Sequence, residues 1–344
     1  FFNRIKCIAR QDNGQSKLLL TFFQVTLVLS VLGLANAYSL KLDYYKKSCP
    51  SAKHIAKAIT KNYISRAPSL AAALLRLQFH DCFVRFFIYQ QRMRWSVLLN
   101  STQHNIAERD ASPNLSVRGF QVIDSVKEAL EKKCPGVVSC ADILALVARE
   151  AVSLIGGPYW PVPLGRRDGR VSIASEAFTN LPSPSFNITQ LKASFASKGL
   201  SDKDLVVLSG GHTIGIAHCP TFSDRLYNFS GQGGTDPTMD QNYIVALKKK
   251  CQPGDSTTLV EMDPGSYKTF DAHYYTLVSK RRGLFQSDAA LLTDSATNAY
   301  VHLQATTDGC TFMEDFAESM VKMGQIGVLT GSSGEIRKQC STIN

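Results

Sequence analysis

Several patterns that mark common classes of protein are missing from this sequence. It contains no CxxC pair, which disfavours the usual zinc sites. It has no internal repeat and no low-complexity tract, and segments that alternate apolar and polar residues are scarce. Basic residues are scattered apart from the run at 248–250, which argues against nucleic-acid binding. These absences leave one large, mainly helical unit as the expected organisation.

The length and composition are those of a folded protein with a substantial core. The chain has 344 residues, of which 44% are hydrophobic, and its formal net charge is +10. Part of that charge lies in an N-terminal segment that we expect to be removed, so the remaining chain is moderately cationic. A positive surface of this kind would favour contact with acidic polymers of an extracellular matrix.

Residues 17–37 have the pattern of a secretory signal. Lys17 precedes an apolar stretch at 18–34, which ends in the small-x-small sequence 35–37. A membrane anchor is the alternative, but 17 mostly apolar residues are near the lower limit for a membrane span. We therefore expect residues 1–16 to be a non-structural extension, residues 17–37 to be cleaved, and residues 38–344 to form the mature domain, with no membrane attachment.

The cysteines and the glycosylation motifs fit an exported protein. Eight of the nine cysteines lie in the expected mature part, where disulfides are favoured over zinc because the spacings are wide. Glycosylation sequons begin at Asn100, Asn114, Asn187 and Asn228. The expected location is therefore extracellular or in the cell wall, with the vacuole as an alternative.

Apolar residues recur at helical spacing in several segments. Ser139 and Ser201 precede two of these segments and are expected to cap helices. The clearest stripes are Ile55, Ile59 and Tyr63 near the start, and Phe312, Phe316, Met320 and Met323 near the end. The fold class expected from these patterns is all-α.

Two histidines stand in contexts that suggest chemistry. Arg76 and His80 are four residues apart, so they share one face if the segment is helical. His212 follows two glycines, which allow another group to approach the backbone closely. Each histidine alone is more often structural than functional. Together they would suit the two faces of a flat cofactor, with one histidine binding its iron and the other moving protons.

Eight segments in order resemble a known family, the secreted plant (class III) haem peroxidases. The resemblance covers nearly all of residues 38–344, and the segments are "SCP" at Ser48, "RLQFHDCFV" at Arg76, "RGFQVID" at Arg118, "CPGVVSCADILALVARE" at Cys134, "PLGRRDG" at Pro163, "LSGGHTIG" at Leu208, "DRLYNF" at Asp224 and "GEIRKQC" at Gly334. The resemblance implies an all-α plant-type peroxidase fold with one haem b between a distal and a proximal helical half. It also implies reduction of hydrogen peroxide with one-electron oxidation of small phenolic donors.

The resemblance assigns roles to individual residues. His212 matches the proximal iron ligand, and Asp288 matches the carboxylate that accepts the other ring proton of that histidine. His80 matches the distal base, and Arg76 matches the cation that stabilises the peroxide as its O–O bond breaks. Asn114 matches the side chain that orients His80, which makes glycosylation at its sequon unexpected.

Further residues carry over as binding positions. Pro182 matches the border of the entrance for aromatic donors, and Phe79 would pack over the haem. The expected disulfides are Cys49–Cys134, Cys140–Cys340 and Cys219–Cys251. A proximal calcium site is implied at Thr213, Asp263, Ser266, Thr269 and Asp271, whose hard oxygen atoms suit Ca²⁺.

The distal calcium site departs from the family pattern. Only Asp81, the Val84 carbonyl, Ser96 and Glu108 remain of its ligands, because the residues at 86–95 replace a segment that contains Gly, Cys and Asp in the family. We therefore expect one bound calcium ion instead of two. A clean exchange inside otherwise intact motifs favours a splice-junction or gene-model error over adaptation.

The same exchange leaves two questions open. Cys82 loses its family partner and Cys310 is extra to the pattern, so a bond between them and two thiols are both compatible with the sequence. The leading hypothesis is an active, monomeric secreted peroxidase. The alternative is a haem-poor or inactive homologue that acts only as a wall-binding glycoprotein.

Overall fold

Helices make up most of the protein within residues 40–84 and 96–344, which are the residues that the computed structural model describes. The α-helices found there are α1 (Ala52–Arg66), α2 (Leu70–Phe83), α3 (Phe120–Lys133), α4 (Cys140–Leu154), α5 (Ala174–Asn180), α6 (Ile188–Ala196), α7 (Asp202–Ser209), α8 (Ser223–Tyr227), α9 (Gln241–Lys250), α10 (His273–Ser279), α11 (Gln286–Ala290), α12 (Ser295–Thr306) and α13 (Phe312–Met323). Strands β1 (Ile216–His218) and β2 (Leu259–Glu261) form a small antiparallel sheet in which Ala217 pairs with Val260. The all-α fold class is therefore confirmed.

Two helix starts form where the sequence predicts them. Ser139 accepts a hydrogen bond from the Asp142 backbone N–H at 3.1 Å and caps α4. At the start of α7, the Asp204 N–H donates to Ser201 Oγ at 3.1 Å, and the Ser201 N–H donates to Asp204 Oδ2 at 2.9 Å. These contacts satisfy backbone groups that have no partner inside the helix.

Helix α4 lies at the centre of one group of helices. All its residues from Cys140 to Val152 are buried, and it packs against α1, α2 and α3. A second group is formed by α7, α10, α12 and α13, which pack against one another. The expected arrangement of two helical halves is therefore visible in the packing.

The buried face of α1 lies one residue away from the predicted stripe. Ile55, Ile59 and Tyr63 are only partly buried, whereas the fully buried residues are Ala52, Ala56, Thr60 and Ile64. Small side chains allow α1 to approach α4 closely, so the larger ones lie at the edge of the contact. The stripe of α13 is confirmed, since Phe312, Phe316, Met320 and Met323 are all buried.

A buried ion pair connects the start of α4 to the end of α13. Arg166 Nη1 lies 2.9 Å from Asp142 Oδ1, and both side chains are almost inaccessible to solvent. Asp142 Oδ2 also accepts from the Gly165 N–H at 2.7 Å and from the Tyr45 hydroxyl at 2.8 Å. Arg166 Nη2 donates to the Gly324 carbonyl at 2.7 Å. Because its hydrogen bonds are satisfied, this pair can hold the two chain segments in register.

The three expected disulfides are present. They are Cys49–Cys134, Cys140–Cys340 and Cys219–Cys251. Cys82 is buried and accepts a hydrogen bond from Gln78 Nε2 at 3.1 Å, whereas Cys310 is an exposed thiol. The structure therefore contains no Cys82–Cys310 bond.

Within residues 40–84 and 96–344, no helix combines the length and the apolar character that a membrane crossing requires. The predicted extension at 1–16 and the predicted signal at 17–37 lie outside the described residues, so both stay predictions. Residues Leu40–Asn344 are assigned to one unit by their contacts. The boundary at residue 38 also stays a prediction.

Candidate active site

His80 lies in the last turn of α2 and is held by Asn114. The Asn114 side-chain oxygen contacts His80 Nδ1, and Asn114 Nδ2 donates to the Glu108 carbonyl at 2.7 Å. Because the amide nitrogen of Asn114 is used by that carbonyl, its oxygen faces His80 and must accept a proton there. His80 therefore carries its proton on Nδ1, and its Nε2 has the lone pair.

The environment keeps His80 neutral. Only 5% of the residue is exposed. Burial lowers the pKa of His80 to about 3, and the nearby cation of Arg76 acts in the same direction, although the hydrogen bond with Asn114 opposes them. An uncharged His80 is the form that can accept a proton.

Arg76 lies one helical turn before His80 and is fixed by the same loop. Its Nη1 donates to Ser116 Oγ at 2.9 Å, and its Nη2 donates to the Pro113 carbonyl at 2.9 Å. Burial and the nearby Arg118 lower the pKa of Arg76 to about 10, so it remains a cation at neutral pH. The sequence patterns did not indicate that Pro113 and Ser116 contact Arg76. Their position on either side of Asn114 in "SPNLS" was the one signal that pointed to them.

One face of α2 is open although the rest of the helix is largely buried. Ala72, Ala73, Arg76 and Phe79 are partly exposed and follow the spacing of a single helical face. Phe79 also contacts the His80 ring edge to face, with ring centroids 5.4 Å apart. This face therefore presents an arginine and an aromatic ring beside the buried histidine.

His212 is held by a buried carboxylate. It lies in the short turn Gly210–Thr213, and its Nδ1 is 2.8 Å from Asp288 Oδ1. Asp288 also accepts from the Tyr274 hydroxyl at 2.9 Å and from the Phe285 N–H at 2.8 Å. Burial alone would raise the pKa of Asp288, but His212 and these donors outweigh it, so the pKa is lowered.

The exposure of the two side chains shows which way the His212 ring faces. The side chain of His212 is 38% exposed, whereas that of Asp288 is only 1% exposed. Asp288 is thus a carboxylate that accepts the Nδ1 proton of His212. Nε2 lies on the opposite side of the imidazole ring, where it can bind a metal ion.

Glycines bring the two histidine segments together. A Cβ on Gly211 would lie 3.5 Å from the Leu75 side chain, and one on Gly215 would lie 2.9 Å from Ala72 Cβ. Gly215 also has a φ of +101°, which larger residues rarely adopt. The segment that carries His212 therefore contacts α2 at Ala72 and Leu75, which precede Arg76 and His80 in that helix.

The predicted proximal calcium residues lie around Asp271 and Asp263. Thr213 Oγ1 donates to Asp271 Oδ1 at 3.0 Å, and Ser266 Oγ donates to Asp271 Oδ2 at 2.6 Å. Asp263 Oδ1 lies 2.7 Å from His273 Nδ1, while its Oδ2 is buried and has no hydrogen bond among the described residues. Burial raises the pKa of Asp263 despite the opposing effect of His273. A cation would satisfy this oxygen.

Thr269, the remaining residue of the predicted calcium site, is connected to the others through Ser266. Thr269 is exposed, and its backbone N–H donates to the Ser266 carbonyl at 2.8 Å. Across the described ranges, no three His, Cys, Asp or Glu side chains form a group that could hold a metal ion. Hydroxyl and carbonyl oxygens would therefore have to supply several of the ligands here.

Arg337 occupies part of the predicted distal calcium region. The remaining ligand candidates Asp81, Val84, Ser96 and Glu108 are all buried. Arg337 Nη2 donates to Ser96 Oγ at 2.8 Å, and Arg337 is itself only 1% exposed. A buried cation thus already bonds one candidate ligand. The replaced segment at 86–95 lies outside the described residues.

Pro182 lies just after α5, in a loop connected to the helix of Asp288. It is partly exposed, and the neighbouring Phe178 is 60% exposed. The Ser287 N–H donates to the Pro184 carbonyl at 2.9 Å, which ties this loop to α11. The predicted entrance position is therefore attached to the His212 side of the structure.

Comparison with known proteins decides the family. The family model described as peroxidase matches residues 53–307. Peroxidase 27 of Arabidopsis thaliana is 57% identical over 310 residues, which cover 90% of this chain and 94% of that protein. The chain belongs to the peroxidase family. Peroxidase 1 of Oryza sativa subsp. japonica is 53% identical over 316 residues, covering 90% of this peroxidase and 95% of its relative.

The family membership confirms the enzyme class predicted from the motifs. The chain is a peroxidase, and therefore an oxidoreductase. Neither these relatives nor the described residues support the alternative of an inactive wall-binding homologue. The described site contains the two histidines, the arginine, the amide and the carboxylate that the resemblance singles out.

Proposed function

We propose that this peroxidase binds one haem b between the open face of α2 and the turn Gly210–Thr213. The observation that carries the proposal is that two histidines on adjoining segments are each fixed through Nδ1 by a different partner. Asn114 holds His80 and Asp288 holds His212, so the Nε2 atom of each ring is the one available for chemistry. A neutral imidazole Nε2 is a usual ligand of haem iron.

The residues present fit this group. Asp288 is a carboxylate, which strengthens His212 as a donor to iron. The partly exposed face of α2 offers Phe79 for packing and Arg76 for polar contact. His212, with a side chain that is 38% exposed, would therefore hold the iron, which supplies the redox chemistry of peroxide cleavage.

The distal residues divide the work on hydrogen peroxide. His80 Nε2 accepts a proton from one oxygen of hydrogen peroxide. It later returns this proton to the other oxygen, which leaves as water. Arg76 stabilises the negative charge that develops as the O–O bond breaks. Hydrogen bonds to Ser116 Oγ and the Pro113 carbonyl fix the position of its guanidinium. Asn114 keeps the His80 ring and its tautomer fixed throughout.

Small phenolic donors are the proposed reducing substrates. Each donor gives up one electron and one proton, so two donors are oxidised for each hydrogen peroxide reduced to water. We place their entrance near Pro182, where the partly exposed loop and Phe178 offer an apolar border. Phenols combine an aromatic ring with a polar hydroxyl, which suits such a border.

We also propose one bound calcium ion, in the proximal site. The buried Asp263 Oδ2 and the carboxylate of Asp271 provide negative charge there, and Thr213 and Ser266 add hydroxyl oxygens. The distal site is expected to bind calcium weakly, if at all, because Arg337 bonds Ser96 and the 86–95 segment lacks the family ligands.

The proposed setting is outside the cell. The signal pattern at 17–37, the three disulfides and the exposed sequon residues Asn100, Asn187 and Asn228 support a secreted glycoprotein, which we propose to be a monomer. Asn114 is 1% exposed and bonds His80, so it is not a glycosylation site in this proposal. Without residues 1–37 the chain has 34 basic and 27 acidic residues, a net charge of +7, which supports contact with acidic wall polymers.

The test separates binding of haem from peroxide chemistry. We expect His212→Ala to abolish stable haem binding, seen as loss of the Soret band after gel filtration. His80→Ala should keep the band but slow the reaction with hydrogen peroxide by at least ~10²-fold, because a general acid-base group is removed. The matched control is His54→Ala, an exposed histidine on α1.

The control should leave both haem content and peroxide reactivity unchanged. Full peroxide reactivity in the His80 variant would show that His80 is not the proton acceptor. A normal Soret band in the His212 variant would show that another residue binds the iron.

A further inference from the structure

Three tyrosine rings lead from His212 toward the surface of the protein. The ring of Tyr274 lies 6.0 Å from that of His212, measured between centroids. Tyr275 follows at 5.2 Å from Tyr274, and Tyr300 follows at 5.7 Å from Tyr275. Tyr274 is 2% exposed and Tyr275 is fully buried, whereas Tyr300 is partly exposed. The row therefore runs from the proposed iron ligand to solvent.

The hydroxyl partners of the tyrosines differ in a way that matters for oxidation. A phenol that loses an electron becomes strongly acidic, so it needs a nearby base. Tyr275 donates to the Val206 carbonyl at 3.1 Å, and a backbone carbonyl is not a useful base at neutral pH. Tyr274 donates to Asp288 Oδ1 at 2.9 Å, but both groups are buried. Tyr300 donates to Asp315 Oδ2 at 2.8 Å, and this carboxylate can take the proton. Of the three tyrosines, only Tyr300 therefore combines a carboxylate partner with partial exposure.

Asp315 is well placed to hold and return that proton. It lies 2.6 Å from Lys203 Nζ and accepts from the Thr311 hydroxyl at 2.7 Å. Burial alone would raise the pKa of Asp315, but Lys203, Thr311 and Tyr300 outweigh it and keep the group ionised. Beside Tyr300 on the same helical face, Leu303 is 46% exposed and offers an apolar contact.

We propose that Tyr300 is a second oxidation site of this peroxidase, which acts on phenolic groups of macromolecules too large to reach the entrance near Pro182. The proposal rests on the proposed haem at His212, because the oxidising power comes from hydrogen peroxide reduced there. Tyr300 loses one electron through Tyr275 and Tyr274 and transfers its hydroxyl proton to Asp315. It then regains an electron from a docked phenol, and the proton returns from Asp315 to Tyr300. The phenol releases its own proton to solvent, which in turn supplies the protons consumed when hydrogen peroxide is reduced. Two such events supply the two electrons that reduce one hydrogen peroxide to two waters.

The first experiment looks for the oxidised tyrosine directly. The haem-loaded full chain is mixed with one equivalent of hydrogen peroxide without donor, frozen rapidly and measured by electron paramagnetic resonance. We expect a tyrosyl radical signal that disappears in Tyr300→Phe, because phenylalanine keeps the ring but cannot lose a proton to Asp315. The matched control is Tyr159→Phe, which removes a tyrosine that is 58% exposed and has no described ring contact with the row.

A second experiment compares one phenol in two sizes. Tyramine is supplied either free or coupled to a large dextran. We expect Tyr300→Phe to slow oxidation of the coupled tyramine by about tenfold or more, which corresponds to about 1.4 kcal/mol of barrier, and to leave free tyramine unchanged. Asp315→Asn should weaken both the radical signal and the coupled reaction while it keeps the Tyr300 ring.

The outcomes distinguish this inference from the function on which it rests. A wild-type radical signal in Tyr300→Phe, or equal rates on coupled tyramine for both proteins, would overturn the second site. The same holds if the signal is lost in Tyr159→Phe instead. Absence of a Soret band and of free-tyramine oxidation in the wild-type protein would refute the proposed haem function itself.

Discussion

Acidification should destabilise this protein through His80 in particular. The pKa of His80 is about 3 in the folded state, whereas an unfolded chain has the ordinary value of about 6.5. Between these two values the unfolded state binds a proton that the folded state does not. The contribution of neutral His80 to the free energy of unfolding is therefore complete above pH 6.5 and decreases as the pH falls toward 3.

The magnitude follows from the two pKa values. Each pH unit in this window removes about 1.4 kcal/mol of unfolding free energy, so the step from pH 7 to pH 5 should cost about 2 kcal/mol through His80 alone. His80→Gln provides the comparison, because glutamine cannot titrate but can still bond Asn114. Other titrating groups are shared by both proteins and cancel in the difference.

The assay is urea unfolding of the haem-free, disulfide-intact protein at pH 7 and pH 5. Wild type should lose about 2 kcal/mol more than His80→Gln over this step. Equal losses in both proteins would show that His80 titrates normally in the folded state. The assignment of a buried, neutral base would then be wrong.

Three further substitutions test other parts of the site. Asp288→Asn should weaken haem retention by about 10 to 100-fold, measured as the rate of haem loss to a competing apoprotein, because it weakens the hydrogen bond to His212; an unchanged rate would contradict this role. Asp263→Asn should reduce bound calcium from one ion per chain to none in metal analysis, whereas retention of that ion would place the site elsewhere. Replacing residues 86–95 with Gly-Cys-Asp-Gly should add a second calcium and a fourth disulfide, and two calcium ions in the unaltered chain would refute the expected loss.

The sequence singled out the candidate site residues but not the contacts that hold them. Local patterns can be recognised without knowledge of the fold, as with the helical spacing of Arg76 and His80 and the two glycines before His212. The residues that hold these side chains in place are not part of such patterns. Pro113 and Ser116 fix Arg76 from a loop about forty positions away in the chain, a separation that no periodicity reveals.

The distal calcium region shows the same limit more sharply. The missing Gly, Cys and Asp could be noticed in the sequence, and the weakened site inferred from them stays a prediction. The contact between Arg337 and Ser96 was not, because these residues are 241 positions apart. A long-range contact of this kind depends on how the C-terminal segment packs, and each alternative packing would give Ser96 a different neighbour.

The sequence by itself determined the helical class, the helix starts at Ser139 and Ser201, and, through its resemblance to a family, the enzyme class and three disulfides. Helical periodicity and capping act between residues a few positions apart, so they can be read directly. Only the tertiary structure decided that α1 buries the face of Ala52, Ala56, Thr60 and Ile64 instead of the face of Ile55, Ile59 and Tyr63. It alone also placed the row of tyrosines from His212 to Tyr300, because close packing selects which side chains fit between backbones that the sequence does not position.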